Sequence, residues 1–226
     1  MPPFLQLMLD SLWPLVRAGL TFTVPLAILS FAFGLALGFL VAVARLFAPA
    51  PIAAVARFYV WFIRGTPLLV QLFVIFYGLP SVGILIDAFP AALIGFSLSV
   101  GAYASEIIRA ALLSIPNGQW EAAYAIGMTR PQALRRTVVP QAVRVAVPPL
   151  SNSFISLVKD TSLAAAITVP ELFQEAQRIV AVTYEPLILY IEAALIYLVF
   201  SSILSSLQNR LERRLATYGG YGEARA

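Results

Sequence analysis

An all-α integral membrane fold with about five transmembrane helices is what this sequence predicts, and three observations carry the prediction. Of its 226 residues, 60% are hydrophobic and only 12% are charged, with a mean hydropathy of +0.87. Soluble domains carry roughly 25% charged residues. The apolar residues gather into five long stretches, each near or above the length a bilayer demands. The basic residues divide very unequally between the two sets of loops that join those stretches.

The first stretch runs from Thr21 to Ala44. The second runs from Ile52 to Tyr77 and is interrupted at Arg64-Gly65-Thr66-Pro67. There Pro67 removes a donor and kinks the backbone, so the part from Ile52 to Ile63 reads as an inclined or surface helix. The third, Ala88 to Leu112, carries Gly95, Ser97, Ser99, Gly101 and Ser105, which suit either close helix packing or the lining of a passage. The fourth, Val143 to Val158, is short and holds Pro148-Pro149 ahead of Ser151, Asn152, Ser153 and Ser156, so it reads as broken and polar. Such backbone survives at membrane depth only when buried in protein or facing a water-filled path. The fifth runs from Tyr184 to Leu207. At about 20 residues per span, little chain is left for a soluble domain. Residues 1–226 therefore read as one transmembrane domain with its core at about 20–210, and any catalytic domain belongs to another chain. The segment from Met1 to Trp13 lacks a basic n-region and a small-residue cleavage site, so it is expected to be retained.

With five spans, Arg45, Arg57, Arg64, Arg109, Arg130, Arg135, Arg136, Arg144, Arg210, Arg213, Arg214 and Arg225 fall on one side. Arg17, Lys159 and Arg178 fall on the other, a division of 12 to 3 among 15 basic residues. The positive-inside rule then puts the N-terminus outside and the C-terminus in the cytoplasm. This topology also accounts for the pI near 9.6 without nucleic acid as a partner.

The chain has no cysteine and no histidine, which excludes disulfides, thiolate or imidazole metal sites and histidine acid/base catalysis. Its one lysine, Lys159, lies between Val158 and Asp160, so no Gly-x-x-x-x-Gly-Lys phosphate loop exists in it. If nucleotide drives this protein, another subunit binds it.

One polar interruption, residues 117–140, reads as a rigid surface element of two short helices. Asn117 is its expected N-cap, Glu121 falls in the first turn, and Gly127 sits where a helix end wants positive φ. Thr129 with Gln132 matches a capping box, with Pro131 tolerated in the first turn of the second helix. A loop that only joined two spans could be looser, so a docking partner is expected.

Glu121-Ala122-Ala123 with Gly127 and Pro140 resembles the EAA signature of ABC importer permeases. The stretches Ile63 to Gln71, Gly101 to Glu106, Pro116 to Gln119 and Leu157 to Leu163 are similar to the polar amino acid branch of that family, the histidine, arginine and glutamine type. The resemblance implies a type I importer transmembrane fold in which the helix around Glu121 is a cytoplasmic coupling helix. It implies two permease subunits, identical or paralogous, paired with two ATPase subunits that bind the ATP and magnesium. It also implies an extracytoplasmic substrate-binding protein that delivers an amino acid across a bacterial inner membrane.

On that resemblance Glu121, Ala122, Ala123 and Gly127 are the ATPase-coupling residues, the two alanines allowing close approach. A carboxylate favoured by the helix dipole would account for Glu121 alone, but the match of the whole segment favours docking. Lys159 and Asp160 offer a cation and an anion to an amino acid zwitterion, with Thr161 and Ser162 as supporting donors. They also fit an interfacial ion pair. Glu106 lies three residues before Arg109, which suits either a helix-surface ion pair or ligand contact, and Tyr103 either touches substrate or packs. Glu192 falls near the middle of the last span with no evident partner. The competing expectation is a self-contained secondary transporter or channel, which the odd span number disfavours.

Overall fold

The computed structural model describes residues 3–217, with side chains for 4–213. Arg225, and the side chain of Arg214, counted in the charge asymmetry above, lie outside them. Among the described residues the chain is helical throughout and no strand occurs. In order the helices are α1 (Pro3–Ala18), α2 (Val24–Phe47), α3 (Ala50–Gly65), α4 (Leu68–Phe73), α5 (Ala88–Leu113), α6 (Asn117–Ala125), α7 (Arg130–Ala133), α8 (Val139–Asp160), α9 (Leu172–Thr183) and α10 (Pro186–Thr217).

α1 and α2 are joined by a π-helical turn, Gly19–Thr23, into one long helix that begins well before the expected Thr21. At 1.5 Å per residue it exceeds what a bilayer needs by many turns. Its early part packs instead on α9 and α10, with Leu15, Leu172, Ala176 and Ala193 forming a small core.

The centre of the fold is the pairing of α2 with α5. Gly34 and Gly38 permit it: a Cβ at Gly34 would stand 2.5 Å from Val100 Cβ, and one at Gly38 2.8 Å from Ala104 Cβ. Such close approach is what small residues provide between apolar helices, where no hydrophobic drive separates neighbour from lipid. α3 docks across α5 through Tyr59, whose hydroxyl donates to the Leu98 carbonyl at 2.6 Å. The expected break follows, with the axes on either side of residues 65–68 bent by 105°. Gln71 Nε2 reaches back to the Ile63 carbonyl at 2.8 Å and to Thr66 Oγ1 at 2.8 Å, satisfying α3's frayed end.

Three helices are long and apolar enough to cross a membrane, and the bent α3–α4 pair makes a fourth candidate span. The remaining expected span, the fourth, is α8, which carries Arg144, Lys159 and Asp160 and packs between α5 and α10. Here two expectations fail. The second half of segment 117–140 is not a separate short helix: α7, a π turn at Leu134–Val138 and α8 form one uninterrupted helix from residue 130 to 160. Nor is the fourth span broken, since Pro148 and Pro149 lie inside α8. Each proline removes one rung, but packing of α8 on two neighbours outweighs that local cost of about 3 kcal/mol. The irregular backbone comes after it, in a 3₁₀ stretch, Thr161–Ile167.

Candidate functional site

Two places in this fold carry chemistry. The first is the surface element. Pro116, not Asn117, caps α6, and Glu121 stands in its second turn. α6 ends at Gly127, φ 81°, with Met128 N–H donating to the Ala123 carbonyl (3.1 Å) and Gly127 N–H to that of Tyr124 (2.9 Å). This is a Schellman end, the reason glycine is needed there. Thr129 N–H donates to Gln132 Oε1 at 2.8 Å, closing the expected capping box. Gln141 Nε2 donates to Gln119 Oε1 at 2.9 Å, pinning α6 to the start of α8. Trp120 packs on Ile115, Val138 and Ala142 beneath it. Glu121 and Ala122 face outward, free to meet a partner. Ala123 does not: it is 3% exposed and turned against the chain, so of the two alanines expected to face a partner only Ala122 does. The helix starts one residue earlier than the sequence suggested, and its phase decides which alanine is buried.

The second place is a cavity of about 470 Å³ between α5 and α8, with Leu68 at the start of α4 closing one side. Its polar lining comes from Ser99, Tyr103, Asn152, Ser153, Ser156 and Asp160. The spacing of residues 149, 152, 153, 156 and 160 is one face of α8, so the hydroxyl-rich sequence that looked like a break is the wet stripe of an intact helix.

Of the residues expected along a substrate path, Tyr103 and Asp160 line this cavity. Lys159 is exposed outside it and forms no ion pair with Asp160. Thr161 is fully buried and donates to the Val158 carbonyl at 2.7 Å, while Ser162 donates to that of Lys159 at 2.8 Å. Glu106 lies one turn beyond Tyr103 and gathers three arginines. Arg45 Nη1 donates to Oε1 at 2.6 Å, Arg109 donates to Oε2 at 2.9 and 3.1 Å, and Arg64 stands 3.8 Å from Oε1.

Two buried carboxyls have partners that the sequence did not reveal. Glu171, fully buried, caps α9 by accepting from Gln174 N–H at 2.8 Å. It also accepts from Tyr197 hydroxyl at 2.6 Å and Thr23 hydroxyl at 3.3 Å, so it ties the π turn to α9 and α10. Burial pushes its carboxyl above the ordinary range. Glu192 finds a partner in Ser11 of α1, whose hydroxyl donates to it at 2.6 Å. Nothing local announces that contact, because the two residues are 181 positions apart.

A helical membrane subunit with a capped, rigid surface element and a polar cavity between its spans belongs to the class of transport permeases. The chain is a member of the family described as binding-protein-dependent transport system inner membrane component, whose pattern it matches over residues 34–217. It is 54% identical over 214 residues to the L-cystine transport system permease protein TcyB of Bacillus subtilis, covering 94% of this chain and 92% of that one. It is 37% identical to the glutamine transport system permease protein GlnP of Escherichia coli, covering 91% and 96%. Its fold superposes on a solved amino acid ABC transporter with histidines at a TM-score of 0.89, with 36% identity over 95% of this chain and 99% of that one.

Proposed function

We propose that this chain is the transmembrane subunit of an ATP-driven importer for a polar amino acid, with α6 as its cytoplasmic coupling helix. ATP and magnesium bind a separate ATPase chain that seats on Glu121 and Ala122. A second permease subunit, identical or paralogous, completes the pathway, and an extracytoplasmic binding protein supplies the substrate. The chain lies in a bacterial inner membrane with its N-terminus outside and its C-terminus in the cytoplasm, the orientation favoured by the arginine distribution. The substrate's ammonium group is received by Asp160, with Tyr103 and the α8 hydroxyls around it.

The observation that carries this reading is the single helix running from the capped surface element at Thr129 to Asp160 in the cavity. A rigid element with two settings, each favoured by a different ATPase state, is what coupling requires. The test is uptake of radiolabelled L-cystine and L-glutamine into proteoliposomes holding the permease and its ATPase, with the binding protein added outside. Glu121→Lys and Gly127→Asp should each leave the protein in the membrane and abolish ATP-dependent uptake. Uptake at the unmodified rate by both variants overturns the docking assignment.

A further inference from the structure

An amino acid carries two opposite charges, and the cavity answers only one of them. Among its lining residues Asp160 is the single acid, and no lysine or arginine belongs to the lining. A carboxylate left without a cation in such a place forfeits its hydration with little return. One guanidinium, that of Arg64, meets the cavity wall. Its Cζ lies 5.2 Å from the centroid of the Tyr103 ring, which forms part of the cavity wall. Four residues on, just past the 105° bend, Leu68 lines the same cavity.

Arg64 is also the member of its cluster with nothing firm to hold. Both oxygens of Glu106 are occupied, Oε1 by Arg45 and Oε2 by Arg109. Arg64 stands 3.8 Å away, beyond hydrogen-bond reach, with its side chain 44% exposed. Three guanidinium groups against one carboxylate leave a net charge of about +2 that invites an anion. A guanidinium held over an aromatic face keeps its planar fork free at the edge, ready for a bidentate carboxylate.

We propose that Arg64 receives the α-carboxylate of the transported amino acid at the rim of the Asp160 cavity, and so selects amino acids over amines of the same skeleton. This inference rests on the proposed function, and the experiment separates the two. Tyr103 links the two groups: it shares the cavity lining with Asp160, and Arg64 stands over its ring. Arg45 and Arg109 position Glu106 and keep it from capturing Arg64.

The test measures calorimetric binding of L-cystine and L-glutamine to the purified permease–ATPase complex, each beside its decarboxylated counterpart, cystamine and 4-aminobutanamide. A charge-assisted contact of this kind predicts that the unmodified complex prefers the amino acid about thirtyfold. Arg64→Gln should reduce that preference to about threefold or less while amine binding persists. Arg64→Lys should retain an intermediate preference, since a point cation replaces the fork, and it serves in place of Arg64→Gln if that variant fails to assemble. Arg57→Gln, on the exposed side of α3, should keep the full preference. Asp160→Asn should weaken amino acid and amine alike. An unaltered preference in Arg64→Gln or an undiminished one in Arg64→Lys overturns the Arg64 assignment and leaves the cavity reading intact. Absence of binding by either amino acid to the unmodified complex, or full binding by Asp160→Asn, overturns both.

Discussion

Glu171 allows the sharpest quantitative test of how this fold is held. Glu171→Ala removes the acceptor for Tyr197 at 2.6 Å and for Gln174 N–H at 2.8 Å, together with the weaker contact from Thr23 at 3.3 Å. A buried donor left without its partner costs about 1–3 kcal/mol. Two such donors, with the Thr23 contact as a minor addition, give a loss of about 2–6 kcal/mol. For a chain of this size each kcal/mol moves Tm by about 2–4 °C. The expected fall is on the order of 10 °C, read as intrinsic tryptophan fluorescence of the detergent-solubilised protein during heating. Glu171→Gln retains an acceptor oxygen and should lose about a third as much. A Glu171→Ala protein that melts within 2 °C of the unmodified one would refute the claim that this carboxyl joins α9, α10 and the π turn.

The same residue sets a pH dependence. Burial raises its carboxyl above the ordinary range, so its contribution is fully present below that range and is lost as pH rises through the elevated value. The melting temperature should fall across that window, and the fall should be absent in Glu171→Gln. At the α2–α5 contact, Gly34→Leu puts a side chain where Val100 already stands at 2.5 Å, and should abolish recovery of folded protein. Gly118→Ala meets nothing within 4 Å and should raise Tm slightly through better helix propensity, both read by gel filtration and melting. Gln71→Leu strips the Ile63 carbonyl of its donor and should cost about 1–3 kcal/mol, with faster proteolysis at the α3–α4 bend as the readout.

What sequence revealed and what it hid follow from the range of the contacts involved. The break at Pro67 and the end at Gly127 were legible because proline geometry and positive φ act within a few residues. The capping box at Thr129 was legible for the same reason. The prolines of α8 misled, since a local rule marked them as a break while α5 and α10 hold the helix intact. Ala123 misled because one residue, about 100° around the helix, separates a facing from a hidden alanine. Tyr103 and Asp160 were found as polar residues in apolar surroundings, and the cavity brings them together across 57 positions. Arg64 was visible only as a boundary charge, because its place over Tyr103 depends on how α3 folds back across α5.

The unbroken helix from residue 130 to 160 is about 45 Å long. In the proposed assembly one end of this beam meets the ATPase and the other the cargo, and it conveys strain both ways, because thermodynamic coupling between two binding events is reciprocal. Cargo settling against Asp160 should therefore alter how tightly the engine grips its nucleotide, giving the transporter a means of sensing its load before it spends fuel.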